Sequence, residues 1–416
     1  MKLSAFGDKF AGHSGIVQLM DDLGKAMAEN KEMLMLGGGN PSHIPEIQKI
    51  FTDRMQALLD DKGAFEALIG NYDGPAGEIN FRTALAKMLK EQFGWNLTLK
   101  NICLTHGSQS GFFALMNMLA GKCSDGRQQK ILLPLIPEYI GYADQGLDND
   151  FFVSYKPKID ILENNTFKYR VDFDALEITD EIGAICVSRP TNPTGNVLTD
   201  EEISKLDKLA QQHNIPFIID NAYGLPFPDI IFEDALPVWN ENIVLCMSLS
   251  KLGLPGARTG IIVANEEVVR AVSNINSIVS LAPGSFGAAL TTEMVENGEI
   301  IRISREIVKP YYKEKSLKAI AWLHRELKGL DYYVHKSEGA MFLWLWFKDL
   351  PISSYELYER LKKRNVLIVS GHYFYPGLDD QQWPHSRECI RMTYSMSEDV
   401  VEAAIKIIAD EVRSLY

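Results

Sequence analysis

The sequence predicts an α/β protein, with a mostly parallel sheet covered by helices on both faces and a smaller α+β domain at the C-terminal end. Three observations carry this expectation. Between about residues 100 and 265, short apolar runs alternate with helical stretches, the pattern of repeated βα units. Beyond Asn297 the pattern changes to a long helical stretch (299–328), an aromatic-rich run (340–347), further short elements and a closing helix. Finally, Ser108, Tyr139, Asn192, Asp220 and Lys251 all fall at the ends of apolar runs. Open α/β sheets bind ligands at the C-terminal strand ends, so five such placements point to one site.

Taken in order, residues 33–36 form a short apolar strand running into Gly37, Gly38 and Gly39, a run that marks either backbone close to a ligand or a hinge. Residues 53–61 read as helix, 71–77 as a dense turn, and 78–93 as a helix with Leu85, Met88, Leu89 and Phe93 at helical spacing. A strand at 102–104, the turn around Gly107 and a helix over 111–120 place backbone amides and a positive helix end at one point. That arrangement suits an anion, although Ser108 or Ser110 as a simple helix cap reads equally well. Strands follow at 131–135, 151–155 and 185–188. The last ends in a Pro- and Gly-rich loop that carries Asn192. Thr199 and Glu202 form a capping box for a helix reaching about His213, and the buried-type strand 216–220 terminates in Asp220, with Tyr223 three residues on. The C-terminal part is read as a helix at 354–363, strands at 366–370 and 390–394, and a helix at 398–413.

A chain of 416 residues exceeds one ordinary core. The expected division is an N-terminal segment 1–45 contributing to the small domain and the site, a large domain 46–297 and a small domain 298–416. Hydrophobic content of 46% with 23% charged residues is that of a soluble globular protein. The net charge of −13 argues against nucleic acid or an anionic membrane as partner, so any anionic ligand must be caught by local positive groups. No stretch approaches a membrane span or a secretory leader. The five cysteines (Cys103, Cys123, Cys186, Cys246, Cys389) are scattered without CxxC spacing, and the eight histidines lack ligand spacing. A metal is not expected, and a reducing, cytoplasmic setting is.

The chemistry centres on residues 248–260. Lys251 stands between two strands, flanked by Ser248 and Ser250 and followed by Gly253, Gly256, Arg258 and Gly260. A lysine amine attacks an aldehyde once burial or a neighbouring cation depresses its pKa. Hydroxyls with a fixed guanidinium make a site for a phosphate dianion. Aldehyde and phosphate on one ring describe pyridoxal 5′-phosphate, held as a Schiff base to lysine. The plain alternative is a Gly-rich surface turn with a solvated lysine.

The lysine loop, the Asn192-Pro193 turn, Asp220 with Tyr223, and Gly107-Ser108-Gln109 resemble the fold-type I pyridoxal-phosphate enzymes of the aspartate-aminotransferase superfamily, in that family's order and over essentially the whole chain. The resemblance implies a seven-stranded, mostly parallel sheet in the large domain. It makes Lys251 the Schiff-base lysine and proton shuttle, and puts Asp220 on the pyridine nitrogen. Asn192 and Tyr223 would donate to the ring's phenolate oxygen, and Tyr139 would stack on the ring. Ser108, Gln109, Ser248, Ser250 and Arg258 would hold the phosphate, with Tyr72 arriving from the partner of a homodimer with shared sites. Arg258 lies seven residues after the lysine where eight is usual in the family, which implies a tighter loop.

Arg391 matches the family's α-carboxylate arginine, with Gly39 and Asn192 beside it in the substrate site, while Arg387 reads as solvated. Residues 37–41, 71–75, 137–144 and 246–256 are closer to one bacterial branch of these aminotransferases, which exchanges the amino group between L-valine and pyruvate. Dicarboxylate-specific members use a second arginine near 277–289, yet none occurs here between Arg270 and Arg302. The pocket, lined by Ile16, Gly38, Gly39 and the 280–282 turn, is therefore expected to be neutral and to suit a branched aliphatic amino acid and a small 2-oxo acid. Another neutral amino-acid specificity or a lyase on the same fold is the nearer rival. A cofactor-binding regulator should carry an N-terminal DNA-binding domain, for which 36 residues before the glycine run leave no room. A nicotinamide dehydrogenase lacks its GxGxxG fingerprint.

Overall fold

The continuous apolar run Ile182–Ser188 is buried along its whole length, as a strand covered on both faces must be. In the computed structural model, which describes residues 1–12, 14–30, 32–378 and 383–416, it lies near the middle of the large sheet. From one edge the order is Ile102–His106, Thr259–Val263, Ile243–Ser248, Phe217–Asp220, Ile182–Ser188, Gln128–Leu133 and Phe152–Ser154. Only Thr259–Val263 runs antiparallel to its neighbours among these seven. The two-residue strand Gly121–Lys122 brings the sheet to eight. The expected seven-stranded, mostly parallel sheet is thus present, with one short edge piece added.

A second sheet of six strands is built from Val369–Ser370, Cys389–Thr393, Phe342–Phe347, Tyr332–His335, Thr166–Arg170 and Lys158–Leu162. Its last two strands form a hairpin from the middle of the chain, with Val334 beside Thr166. The expected strand 366–370 is divided, because Val366–Leu367 pairs with Leu34–Met35 while Val369–Ser370 pairs with Cys389–Thr393. The N-terminal segment is tied to this side of the molecule. Leu36 accepts from the Thr393 amide at 2.8 Å, and Asp22 receives the Tyr358 hydroxyl and the Lys362 ammonium.

The helices Ile79–Phe93, Asp200–Gln212 and Glu398–Arg413 fall as expected, the second with the Thr199/Glu202 capping box formed. The helix expected at 53–61 begins earlier, at Pro45, a residue suited to a first helical turn. The single helix expected over 299–328 is interrupted by a π-helical turn, Ser304–Val308, just before Pro310, which has no amide to continue the ladder. Asp229 meets Arg305 and Lys309 there at 3.9 and 3.3 Å. The sequence reading did not place the helices Gly15–Glu29, Lys62–Gly70, Glu266–Ser280 and Phe286–Glu296. No helix among the described residues is long and apolar enough to cross a membrane.

Candidate active site

The strand Ile243–Ser248 ends in a 3-10 turn, Ser250–Leu252, that presents Lys251. Ser248 fixes this turn by accepting the Ser250 amide on its hydroxyl at 3.0 Å. Gly253 (φ 117°) and a second 3-10 turn, Pro255–Ala257, lead to Arg258 in the left-handed region at φ 49°. For a residue with a Cβ that conformation costs about 1–2 kcal/mol, so the seven-residue loop closes under strain where it delivers its guanidinium.

Lys251 is half-buried. Its ammonium donates to the Gly39 carbonyl at 2.5 Å and sits 5.2 Å from the Tyr223 ring centroid. Burial, reinforced by the nearby Arg391 and Arg258 and opposed by Asp220, pushes its pKa down to about 8. A fraction of free amine is therefore available near neutrality, as attack on an aldehyde requires. The rate at which the apoenzyme combines with pyridoxal phosphate should rise with pH and level off above about 8. Stopped-flow absorbance at several pH values measures this, and a rate still climbing towards the ordinary lysine range would refute the depressed amine.

The strand Ile102–His106 passes directly into the helix Gly107–Leu119, four residues earlier than the sequence suggested, so Ser108 and Gln109 lie in its first turn. Gly107 has φ 76°, and a Cβ there would lie 2.1 Å from Arg258 Nη2. A Cβ at Gly260 would lie 2.6 Å from the Ser108 amide nitrogen. These two glycines let the Arg258 guanidinium press against the positive end of a helix. Arg258 donates to the Pro255 carbonyl at 3.3 Å and forms no ion pair among the described residues. Two adjacent positive groups with no anion between them form a cup suited to a phosphate. Ser108 and Gln109 flank it, donating to the carbonyls of Met247 and Gly141 at 3.3 Å each.

Asp220 ends its strand level with Ser188 and Cys246 on the neighbouring strands. Its carboxylate accepts from the Tyr142 hydroxyl at 2.6 Å and the Ala222 amide at 3.1 Å. Burial raises its pKa, while these two bonds and the Lys251 charge lower it. Tyr139 packs edge-on against Tyr142, with ring centroids 5.5 Å apart, and its phenol feels the charges of Arg391, Asp220 and Arg258 together.

Arg391 is 2% exposed and lacks a carboxylate partner among the described residues. It donates to Asn192 Oδ1 at 2.8 Å and to the Gly37 carbonyl at 2.6 Å, and its Nε has no acceptor. Its guanidinium lies 4.2 Å from the Phe342 ring centroid and 5.3 Å from that of Phe374. Burial pushes its pKa down to about 10. A buried cation with an idle donor is costly unless an anion arrives to pair with it.

The residues brought together are thus Gly39, Ser108, Gln109, Tyr139, Asn192, Asp220, Tyr223, Ser248, Ser250, Lys251, Arg258 and Arg391. Tyr72 is not among them: it is 86% exposed, on a turn tied through the Pro75 carbonyl to Asn276 and through Asp73 to Ser285. Arg387 is exposed. The sequence reading gave no role to Tyr142 or Glu138, although an acidic residue inside the apolar stretch 131–142 was a visible anomaly. It also missed Phe342 and Phe374, whose rings flank Arg391.

A lysine at a strand end, a carboxylate and an anion cup at strand ends of the same sheet, and a buried arginine without a carboxylate partner are what the family comparison then accounts for. Aminotransferase class I and II matches residues 31–408, and the chain belongs to that family. Among its relatives is the valine–pyruvate aminotransferase of Escherichia coli K12, 54% identical, with 100% of this chain and 99% of the relative covered. Two crystal structures are also similar. The putative amino-acid aminotransferase of Psychrobacter arcticum has a TM-score of 0.97 at 47% identity, covering 100% of this chain and 99% of that one. The valine–pyruvate aminotransferase AvtA of Salmonella typhimurium has a TM-score of 0.89 at 52% identity, covering 96% and 99%.

Proposed function

We propose that this chain is a pyridoxal-5′-phosphate-dependent aminotransferase that moves the amino group between L-valine and pyruvate, giving 3-methyl-2-oxobutanoate and L-alanine, in a cytoplasmic branch of amino-acid biosynthesis. The observation that carries the reading is Arg391, a buried guanidinium without a carboxylate, beside an amine of depressed pKa. The 54% identity to a valine–pyruvate aminotransferase supports the substrate pair, and five free cysteines fit a reducing compartment.

The side chains suit the cofactor. Arg258, the Gly107–Leu119 helix start, Ser108, Gln109, Ser248 and Ser250 would hold its phosphate, and Lys251 Nζ its aldehyde carbon. Asp220 would pair with the ring nitrogen, Asn192 and Tyr223 would donate to the phenolate oxygen, and Tyr139 would cover one face. When bound, pyridoxal phosphate supplies the electron sink for charge left at the substrate Cα. Arg391 clamps the α-carboxylate and so fixes which Cα bond faces the ring. Asn192 accepts from Arg391 on Oδ1, which leaves its amide N–H free to donate. Lys251, once its amine is released, would take the proton from Cα and deliver it to the carbon that was the cofactor's aldehyde, across the bridging nitrogen.

With no arginine between Arg270 and Arg302, a second substrate carboxylate has no cation to meet. Valine and alanine should therefore be amino donors, differing by about 1–3 kcal/mol in an apolar pocket. Glutamate and aspartate should be poor donors, because an unpaired carboxylate is costly to bury. An arginine introduced in 277–282 should raise activity on glutamate relative to valine. Steady-state kcat/KM for the four amino acids tests this, and wild-type preference for a dicarboxylate would overturn the assignment.

The same reading makes the protein a homodimer with shared sites. Tyr72, Ile69, Ile278, Val279 and Leu281 are all large and exposed, and the bonds from Asn276 and Ser285 hold their segments on one surface. A second copy of the chain, bringing Tyr72 to the phosphate of its neighbour, would cover them. Mixing Tyr72→Phe with Lys251→Ala subunits should then yield more activity than the two give separately, because each hybrid contains one fully intact site. Activity that merely follows the proportion of subunits would refute sharing.

A further inference from the structure

Behind Asp220 runs a row of hydrogen-bonded side chains that amino transfer as described leaves unused. Glu138 is 0% exposed, and its Oε1 accepts from the Ser188 amide at 2.8 Å. Its Oε2 lies 2.5 Å from the Ser188 hydroxyl, which is itself 3.3 Å from the Tyr142 hydroxyl. Tyr142 closes the row by donating to Asp220 Oδ2 at 2.6 Å. Glu138 forms no ion pair among the described residues. Other titratable groups face the row. Cys186, close to Glu138, Asp220 and Tyr142, and Cys246, close to Asp220, are kept as neutral thiols by burial, and Tyr139 and Lys251 interact with the Asp220 charge.

Counting protons settles how such a row can be satisfied. Three oxygen–oxygen links join four side chains, and each link needs one hydrogen. The serine and tyrosine hydroxyls supply two. The third must come from one of the carboxyls, since two carboxylates at the ends would leave the Ser188–Tyr142 link without a hydrogen and two buried negative charges in one network. Asp220 is not the donor: it accepts from Tyr142 and the Ala222 amide and faces the Lys251 cation. Glu138 has no such cation; burial, with the Asp220 charge adding to it, pushes its pKa up to about 8, against the lowering effect of the Ser188 hydroxyl and amide and of the Tyr139 amide, 3.4 Å from Oε2.

We propose that Glu138 is a positioning residue, held as a neutral acid, whose proton turns Ser188 and Tyr142 into donors pointing towards Asp220, so that the single negative charge of the row stays at the end that faces the cofactor. The inference rests on the aminotransferase reading for its consequence, though not for its proton count. Glu138 touches neither substrate nor cofactor. It acts through Ser188 and Tyr142, and replaces a second buried charge with a directed chain of dipoles.

The test uses infrared difference spectra of the apoenzyme together with kinetics of the holoenzyme. Wild-type apoenzyme should show the carbonyl stretch of a protonated carboxyl at neutral pH. That band should fade as the pH rises through about 8 and be missing in Glu138→Gln. The amide of Glu138→Gln keeps one donor and one acceptor, so kcat should stay within about threefold of wild type, whereas Glu138→Leu should lose about tenfold or more in kcat with KM for valine little changed. If Glu138→Leu does not fold, the band and Glu138→Gln decide alone. Absence of the band at neutral pH, or a Glu138→Gln as impaired as Glu138→Leu, overturns the proposal. An enzyme inert towards valine that still shows the band would instead sink the substrate assignment and leave the neutral acid standing.

Discussion

Lys251→Ala is expected to abolish transamination while raising, or leaving unchanged, the melting temperature. The catalytic loss should be roughly 10⁴-fold or more, because no other amine of depressed pKa stands where a proton must leave and rejoin carbon. Stability should move the other way. Lys251 lies among Arg391 and Arg258, and its pKa is lowered in the fold to about 8. A base with a lowered folded pKa is a liability while protonated. The liability is complete below about 8 and gone above the ordinary lysine value of 10.5. The gain in Tm on replacing Lys251 should therefore be largest at neutral pH and vanish in strong alkali. Cofactor should still bind through the phosphate cup, without covalent attachment. Turnover within tenfold of wild type would remove Lys251 from the site's chemistry.

Asp220→Asn should cost about 3 kcal/mol or more at the transition state, two orders of magnitude in kcat. The amide keeps the shape of the carboxylate, but its one oxygen can accept from only one of Tyr142 and the Ala222 amide, which reach different carboxylate oxygens. It cannot carry the negative charge that would hold a ring nitrogen protonated. Here too activity and stability separate. Burial raises the Asp220 pKa in the fold, so its ionised form destabilises the native state increasingly as pH rises from the usual carboxylate range through the raised value. An uncharged replacement should accordingly leave Tm unchanged or higher at neutral pH. Wild-type kcat in this variant would mean that the ring nitrogen has another partner.

Much of the candidate site was legible in the chain because its residues combine two local signals. Asp220, Asn192 and Lys251 are polar side chains that stop apolar, strand-length runs, and their chemical types match one cofactor. Other features lay beyond any local signal. Tyr142 reads as one more aromatic in an apolar stretch, and only the fold sets its hydroxyl on Asp220. Glu138 is anomalous in sequence, but its partner Ser188 is fifty residues away. The hairpin Lys158–Arg170 is too exposed on one strand to show a buried periodicity, and its sheet neighbour lies in the C-terminal third of the chain. The strand expected at 366–370 looked continuous because continuity was all the sequence could display, whereas its halves serve different partners.

By itself, the sequence determined the α/β class, the alternation that builds the large sheet, the lysine loop with its glycines, and the absence of any arginine between Arg270 and Arg302. These follow from periodicity and residue chemistry, which act over a few neighbouring positions. The tertiary structure alone decided which charges remain unpaired. Arg258 meets a helix end because Gly107 and Gly260 lack side chains, and Arg391 is sealed between Phe342 and Phe374 with one donor idle. It also decided that Glu138 shares a buried row with Asp220. Unpaired charge and shared protons depend on distance and on exclusion of water, and neither exists until distant segments pack together.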